Sequence, residues 1–150
     1  MQKYSLEVSG IDSTDKSTGF SYYHYGSTVP SYLPFTDQSE YILNSTQPNN
    51  FSVSFPTVKP SYYETVWGNG KVELILYAPP TTTQLQPTTE LAAMKSRLLA
   101  GQDISNLSFY QFVYENAEGK DYGGFFNYEF NADLLQKERL PSSIRFSKTY

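Results

Sequence analysis

The sequence predicts a mainly β domain: an antiparallel β-sandwich or barrel-like fold of about seven or eight strands, with one helix near 88–100 and a short helix near 132–140. An α+β arrangement is the alternative. Three observations point there. Short segments alternate polar and apolar residues at the strand period. Gly, Pro and Asn clusters separate them. Strands and helices do not alternate along the chain, which argues against a parallel sheet. The 150 residues suit one domain over 1–150, with 141–150 read as an extended tail.

The elements follow in order. In Lys3 to Ser9, Tyr4, Leu6 and Val8 point one way and Lys3, Ser5, Glu7 and Ser9 the other, as in a half-buried strand. The polar stretch from Gly10 to Gly19 reads as a loop. Phe20 to Tyr25 is an aromatic strand holding the single histidine, His24. Ser27 to Gln38, with Pro30 and Pro34, is an extended loop, and Glu40 to Leu43 a short strand. Gln47 to Asn50 is a turn, and Phe51 to Phe55 alternates until Pro56 ends it. Tyr62 to Trp67 and Lys71 to Tyr77 flank Gly68-Asn69-Gly70, the strongest hairpin signal in the chain, because Gly and Asn accept positive φ.

After Pro79-Pro80, Thr81 to Pro87 is a polar connector. Thr88 to Ala100 is the best helix: Pro87 and Thr88 mark its start, Glu90 lies in the first turn and Gly101 stops it. Leu91, Met94 and Leu98 share one face. Leu107 to Tyr114 fits either period, and its aromatic content favours strand. Phe125 to Phe130 reads as the second arm of another hairpin, with the turn in Asn116 to Gly124. Ala132 to Leu140 is a helix capped by Asn131 and stopped by Pro141.

Composition excludes several classes. Charged residues are 17%, against about a quarter in a typical domain. Aromatics are also 17%, too many for a disordered tail. With no Cys and one His, disulfide scaffolds and zinc-cysteine sites are closed. A net charge of −4 repels a phosphate backbone, so nucleic acid is not an expected partner. No run approaches a membrane-spanning length. The opening residues enter a strand pattern directly, so no secretory leader is read and synthesis is expected in the cytoplasm. Charge is uneven: 103–133 is strongly acidic, and Lys137, Arg139, Arg145 and Lys148 make the end basic.

Catalytic and cofactor motifs are not found. No Gly-x-Ser-x-Gly elbow presents a serine to His24, which reads as a packed or exposed sheet residue. There is no Gly-x-Gly-x-x-Gly, and Gly70-Lys71 lacks the rest of a phosphate loop. Asp12 and Asp15 lack the further ligands of a calcium loop. Glu64, Glu73, Glu115 and Glu129 supply the carboxylates a glycosidase would need, without any spacing that pairs them. The expectation is therefore a protein that is not an enzyme and has no cofactor or metal.

What remains is the aromatic and hydroxyl surplus: 14 Tyr, 10 Phe, 18 Ser and 13 Thr. Tyr4, Phe20, Phe51, Phe55, Trp67, Phe112, Phe126 and Phe130 are the core candidates. Tyr23, Tyr25, Tyr32, Tyr63, Tyr114, Tyr122 and Tyr128, together with Arg139, Arg145 and Lys148, are the interface candidates, since Tyr suits contact surfaces. This composition is like that of virion and appendage subunits. It leads to the first functional expectation, a structural subunit of a virus or phage capsid, tail or appendage that acts by self-association or by contact with other particle proteins. Its loops 27–38 and 81–87 would reach neighbours, and its basic end would meet the acidic stretch of another copy. The alternatives are a carbohydrate-binding β-sandwich with Trp67 and Tyr63 as the glycan platform, and a small acidic inhibitor or adaptor that binds a host protein.

Overall fold

The computed structural model describes residues 2–33, 39–98, 106–130 and 142–150. Along the chain run β1 (Tyr4–Ile11), β2 (Thr18–Gly26), β3 (Ile42–Gln47), β4 (Asn50–Ser54), β5 (Tyr62–Gly68), β6 (Glu73–Ala78), β7 (Gln84–Leu85), α1 (Pro87–Leu98), β8 (Ser108–Ala117), α2 (Tyr122–Phe130) and β9 (Ser142–Thr149). The strands form two antiparallel sheets, one of six in the order β1-β2-β9-β8-β5-β6 and one of three in the order β3-β4-β7. The expected mainly β, sandwich-like fold is what the chain adopts.

The two sheets meet through aromatic side chains. Phe51 and Phe55 face Trp67, Tyr63 and Phe112 of the large sheet. Ring centroids are 5.7 Å apart for Phe51–Trp67, 5.6 Å for Phe55–Tyr63 and 6.4 Å for Phe55–Phe112. Tyr22, Ile144 and Phe146 extend this core across β2 and β9, and Leu91 of α1 belongs to it. Offset and edge-on ring pairs stabilise such a core beyond the area they bury.

Local chemistry explains the turns. Between β5 and β6, the Asn69 side-chain carbonyl accepts the N–H groups of Lys71 (3.0 Å) and Val72 (2.9 Å), and Gly70 takes φ +80. This is the hairpin the sequence signals. At α1 the Gln86 carbonyl accepts the N–H groups of Thr89 (2.9 Å) and Glu90 (3.0 Å), and Pro87 opens the helix, where a missing N–H costs nothing.

Several expectations need correction. Phe125 to Phe130 is not a strand but most of α2, so the second hairpin does not form. Asp121 Oδ1 accepts the Gly124 N–H at 2.8 Å and caps the helix. Phe125 then stacks on Tyr62 at 3.5 Å, so packing overrides the β preference of the aromatic residues. The described part of the expected extended tail is not a tail: Ser142–Thr149 is β9, in the middle of the large sheet between β2 and β8. The connector 81–87 contains the short strand β7.

Among the core candidates, Phe51, Phe55, Trp67 and Phe112 are buried and Phe20 packs on the core. Tyr4, Phe126 and Phe130 are exposed instead. On α1 Leu91 is buried while Met94, placed on the same face by spacing, is exposed. Leu107 to Tyr114 is strand, as its aromatic content indicates. The expected helix at 132–140 lies outside the described residues. No described helix is long and apolar enough to cross a membrane.

Candidate functional site

The outer face of the large sheet carries the chain's main concentration of buried charge among the described residues. Residues directly opposite in antiparallel strands share a face. The register pairs Glu64 with Tyr77, Tyr62 with Glu115, and Glu115 with Arg145. Four neighbouring strands, β6, β5, β8 and β9, therefore place Tyr77, Tyr62, Glu64, Glu115 and Arg145 side by side.

Arg145 bridges the two carboxylates. Its Nη2 donates to Glu64 Oε1, and its Nη1 lies 3.9 Å from Glu115 Oε2. The Tyr62 hydroxyl donates to Glu115 Oε2 at 2.6 Å and sits 3.4 Å from Arg145 Nη1. Glu64 is 3% exposed and Tyr62 1%, whereas the Arg145 side chain keeps 42% of its surface in contact with solvent. Phe125 roofs one side by stacking on Tyr62.

The electrostatics follow from this burial. Desolvation pushes the Glu64 carboxyl above its ordinary pKa of 4.5, and Arg145 only partly offsets it. The Tyr62 hydroxyl is pushed up by burial and then by Glu115. Burial works against the Arg145 charge, but Glu64, Tyr62 and Glu115 outweigh it, so the guanidinium is held more firmly protonated than usual. Chemically, this is a tie across strands. A glycosidase needs open space between its carboxylates for a sugar and water. Here a guanidinium from the same chain occupies that space.

The sequence-derived interface candidates scatter. Tyr63 and Tyr114 are buried. The Tyr63 hydroxyl donates to the Thr82 carbonyl at 2.6 Å, and Tyr114 stacks on Phe146 at 5.2 Å. Tyr122 donates to the Tyr77 carbonyl at 3.3 Å. Tyr23 and Tyr25 are half-buried on β2 and Tyr128 on α2. Only Tyr32 of this group stands well clear, at 73% exposure. Arg145 and Lys148 are both partnered inside the chain, Lys148 with Asp15. Arg139 lies outside the described residues. Trp67 and Tyr63 are both 0% exposed and present no face to a sugar, which corrects the glycan platform.

The loop carboxylates also have local partners. Asp12 Oδ1 accepts the Thr14 N–H and hydroxyl, both at 2.7 Å, and Asp15 binds Ser17, Thr18 and Lys148. These hydrogen bonds hold both carboxyls below the ordinary aspartate range, with Thr14 the largest cause for Asp12 and Lys148 for Asp15. His24 Nε2 lies 2.9 Å from the Thr28 carbonyl. It lines an open hollow of about 460 Å³ with Tyr22, Tyr32, Glu118 and Ser142.

The remaining notable surface is a strand edge. β1 is an outermost strand of the large sheet, and its Ser5, Glu7, Ser9 and Ile11 are all exposed. Sequence reading found the strand but not its position. Strand order depends on contacts far apart in the chain, and nothing within β1 itself encodes them.

Comparison with known proteins returns no matching family model, no similar curated protein and no similar solved structure.

Proposed function

We propose that the chain is a non-enzymatic structural subunit that works by self-association, as a capsid, tail or appendage component of a virus or phage particle does. The observation behind this reading is the edge at β1, which is open among the described residues. The strand has eight residues, no proline, a register with β2 unbroken by a bulge, and Glu7 as its one charge. Soluble monomers usually blunt such an edge with proline, lysine, a bulge or a covering loop. Low charge and abundant Ser and Thr agree with a chain selected for contact.

The aromatic surplus supports the reading less than its number suggests. Of the 14 Tyr, only Tyr4, Tyr32 and Tyr150 are exposed; four are buried and the other seven half-buried. The charge-to-charge contact is set aside too, because Arg145 and Lys148 already have partners. Association should then rest on backbone pairing and apolar side chains, which salt does not screen. Sedimentation velocity across a concentration series should show a dimer or larger species whose dissociation constant changes little between low and high salt. A monomer at every concentration in both buffers would defeat the proposal.

A second reading, carbohydrate binding, moves to the hollow beside His24. Its exposed Tyr32 ring could stack on a sugar, while Glu118 and Ser142 offer polar groups. A glycan array read with wild type and Tyr32→Ala checks it. Glycans bound by wild type should be lost in the variant, and an array with no binder removes the reading.

A further inference from the structure

The backbone of β1 specifies which groups it offers to a partner. Asp12 N–H donates to the Thr18 carbonyl at 2.9 Å and continues the register in which Ile11 faces Gly19. In antiparallel pairs, hydrogen-bonded and non-hydrogen-bonded positions alternate. The even residues of β1 therefore spend their N–H and C=O groups on β2. The odd residues, Ser5, Glu7, Ser9 and Ile11, turn theirs outward. The far side of β2 agrees: Thr149 N–H donates to the Ser17 carbonyl, so odd residues of β2 bond β9 and even ones bond β1.

We propose that β1 pairs antiparallel with β1 of a second copy, about a two-fold axis through Leu6, joining two six-stranded sheets into one of twelve. The inference rests on the self-association reading and names its contact. For the two sheets to continue each other, outer-face residues must meet outer-face residues, so only registers pairing odd with odd are open. Among these, the axis at Leu6 sets Ser5 opposite the partner's Glu7 and Lys3 opposite the partner's Ser9. On the inner face it sets Leu6 on the partner's Leu6 and Tyr4 on the partner's Val8, an unbroken apolar row. Glu7 then lies diagonal to the partner's Lys3, within reach of an ion pair, and equally diagonal to the partner's Glu7.

The neighbouring registers are worse. An axis at Glu7 sets two glutamates directly opposite and Tyr4 against a glycine. An axis at Ser5 sets Tyr4 against the partner's Leu6 and Lys3 against the partner's Glu7, but it shortens the ladder and sets Val8 against Gln2. An axis at Val8 leaves Leu6 against Gly10 and Tyr4 against Asp12. Only in the Leu6 register do Tyr4, 42% exposed in the single chain, Leu6 and Val8 all meet apolar residues.

The chain has no cysteine, so introduced thiols report contacts without background. Ser5→Cys and Glu7→Cys change exposed outer-face residues. In the Leu6 register these two positions face each other as a hydrogen-bonded pair about 5.5 Å apart at Cα, inside the range a disulfide spans. Under mild oxidation the mixture of the two variants should give a cross-linked dimer, and neither variant alone should. Ready self-cross-linking of either variant would overturn the register. As a second arm, Glu7→Pro removes an outward N–H and no β1–β2 bond, so thermal melting should be nearly unchanged while dimerisation weakens at least about tenfold. Wild type that associates, with no cross-link and no effect of the proline, would overturn the β1 contact yet leave self-association standing. Monomeric wild type would remove both.

Discussion

Replacing Trp67 with Ala is expected to lower the free energy of unfolding by about 3–5 kcal/mol, the upper range for deletion of a buried aromatic side chain. Trp67 is 0% exposed and sits where the two sheets meet. Its ring packs edge-on against Phe51 at 5.7 Å and Phe109 at 5.2 Å, and its Nε1–H donates to Thr65 Oγ1 at 2.9 Å. The substitution removes all three contacts and leaves a void that close-packed rings fill poorly. A domain of this size is stable by only about 5–15 kcal/mol. Urea denaturation followed by far-UV circular dichroism checks the value. Phe126→Ala is the control. Phe126 is 45% exposed on α2, and its loss should cost under about 1 kcal/mol. Equal losses at the two positions would contradict the placement of the core.

Trp67 and Phe126 look alike in the sequence, each a large ring in an aromatic run, and that likeness marks how far the sequence can be read. Alternation exposed β1 and β4, because one face of each meets the core. The Gly68-Asn69-Gly70 signal exposed the β5–β6 hairpin, because its turn chemistry is local. Fold class followed from such local signals. Position did not. β9 reads as a polar, basic ending, with Ser142, Ser143, Arg145, Ser147 and Lys148 among its eight residues, yet it is a central strand. Its inward residues Ile144 and Phe146 are apolar, and its outward ones find partners only once β8 and β2 flank it. The α2 segment misled for a related reason. Its helix depends on an Asp121 cap and on Tyr62, about sixty residues earlier, as a stacking surface. At the site, Glu64 and Glu115 were visible as strand carboxylates, but Arg145 as their bridge was not, since pairing across β5, β8 and β9 joins residues up to 81 apart. The unbroken burial along Tyr62-Tyr63-Glu64-Thr65-Val66-Trp67 had a trace in the sequence, since only Glu64 and Thr65 interrupt the bulky residues. A strand covered on both faces shows that pattern.

Replacing Arg145 with Met should destabilise the fold by about 2–4 kcal/mol at neutral pH, somewhat below the usual cost of breaking a fully buried pair because the guanidinium is partly solvated. The loss comes from what the substitution leaves behind. Glu64, 3% exposed, keeps its charge without its main partner, and Glu115 keeps only the Tyr62 hydroxyl. The pH dependence separates this cause from lost packing. In the wild type the folded-state pKa of Glu64 already lies above its ordinary value of 4.5, because burial outweighs Arg145. Between the two values the folded chain binds more protons than the unfolded chain, so the contribution of Glu64 to stability falls as pH rises. Without Arg145 the folded value climbs further and the window widens upward. The variant should therefore gain stability relative to wild type as the pH is lowered from neutral and Glu64 takes up its proton. Packing loss alone would give a gap independent of pH. The double variant Glu64→Gln with Arg145→Met removes the stranded charge, so it should recover much of the loss and lose the pH dependence. Urea unfolding of the two variants and wild type at several pH values gives the full comparison. A gap that stays constant with pH, or a double variant no better than Arg145→Met, would mean that the bridge holds β5, β8 and β9 by shape and not by charge.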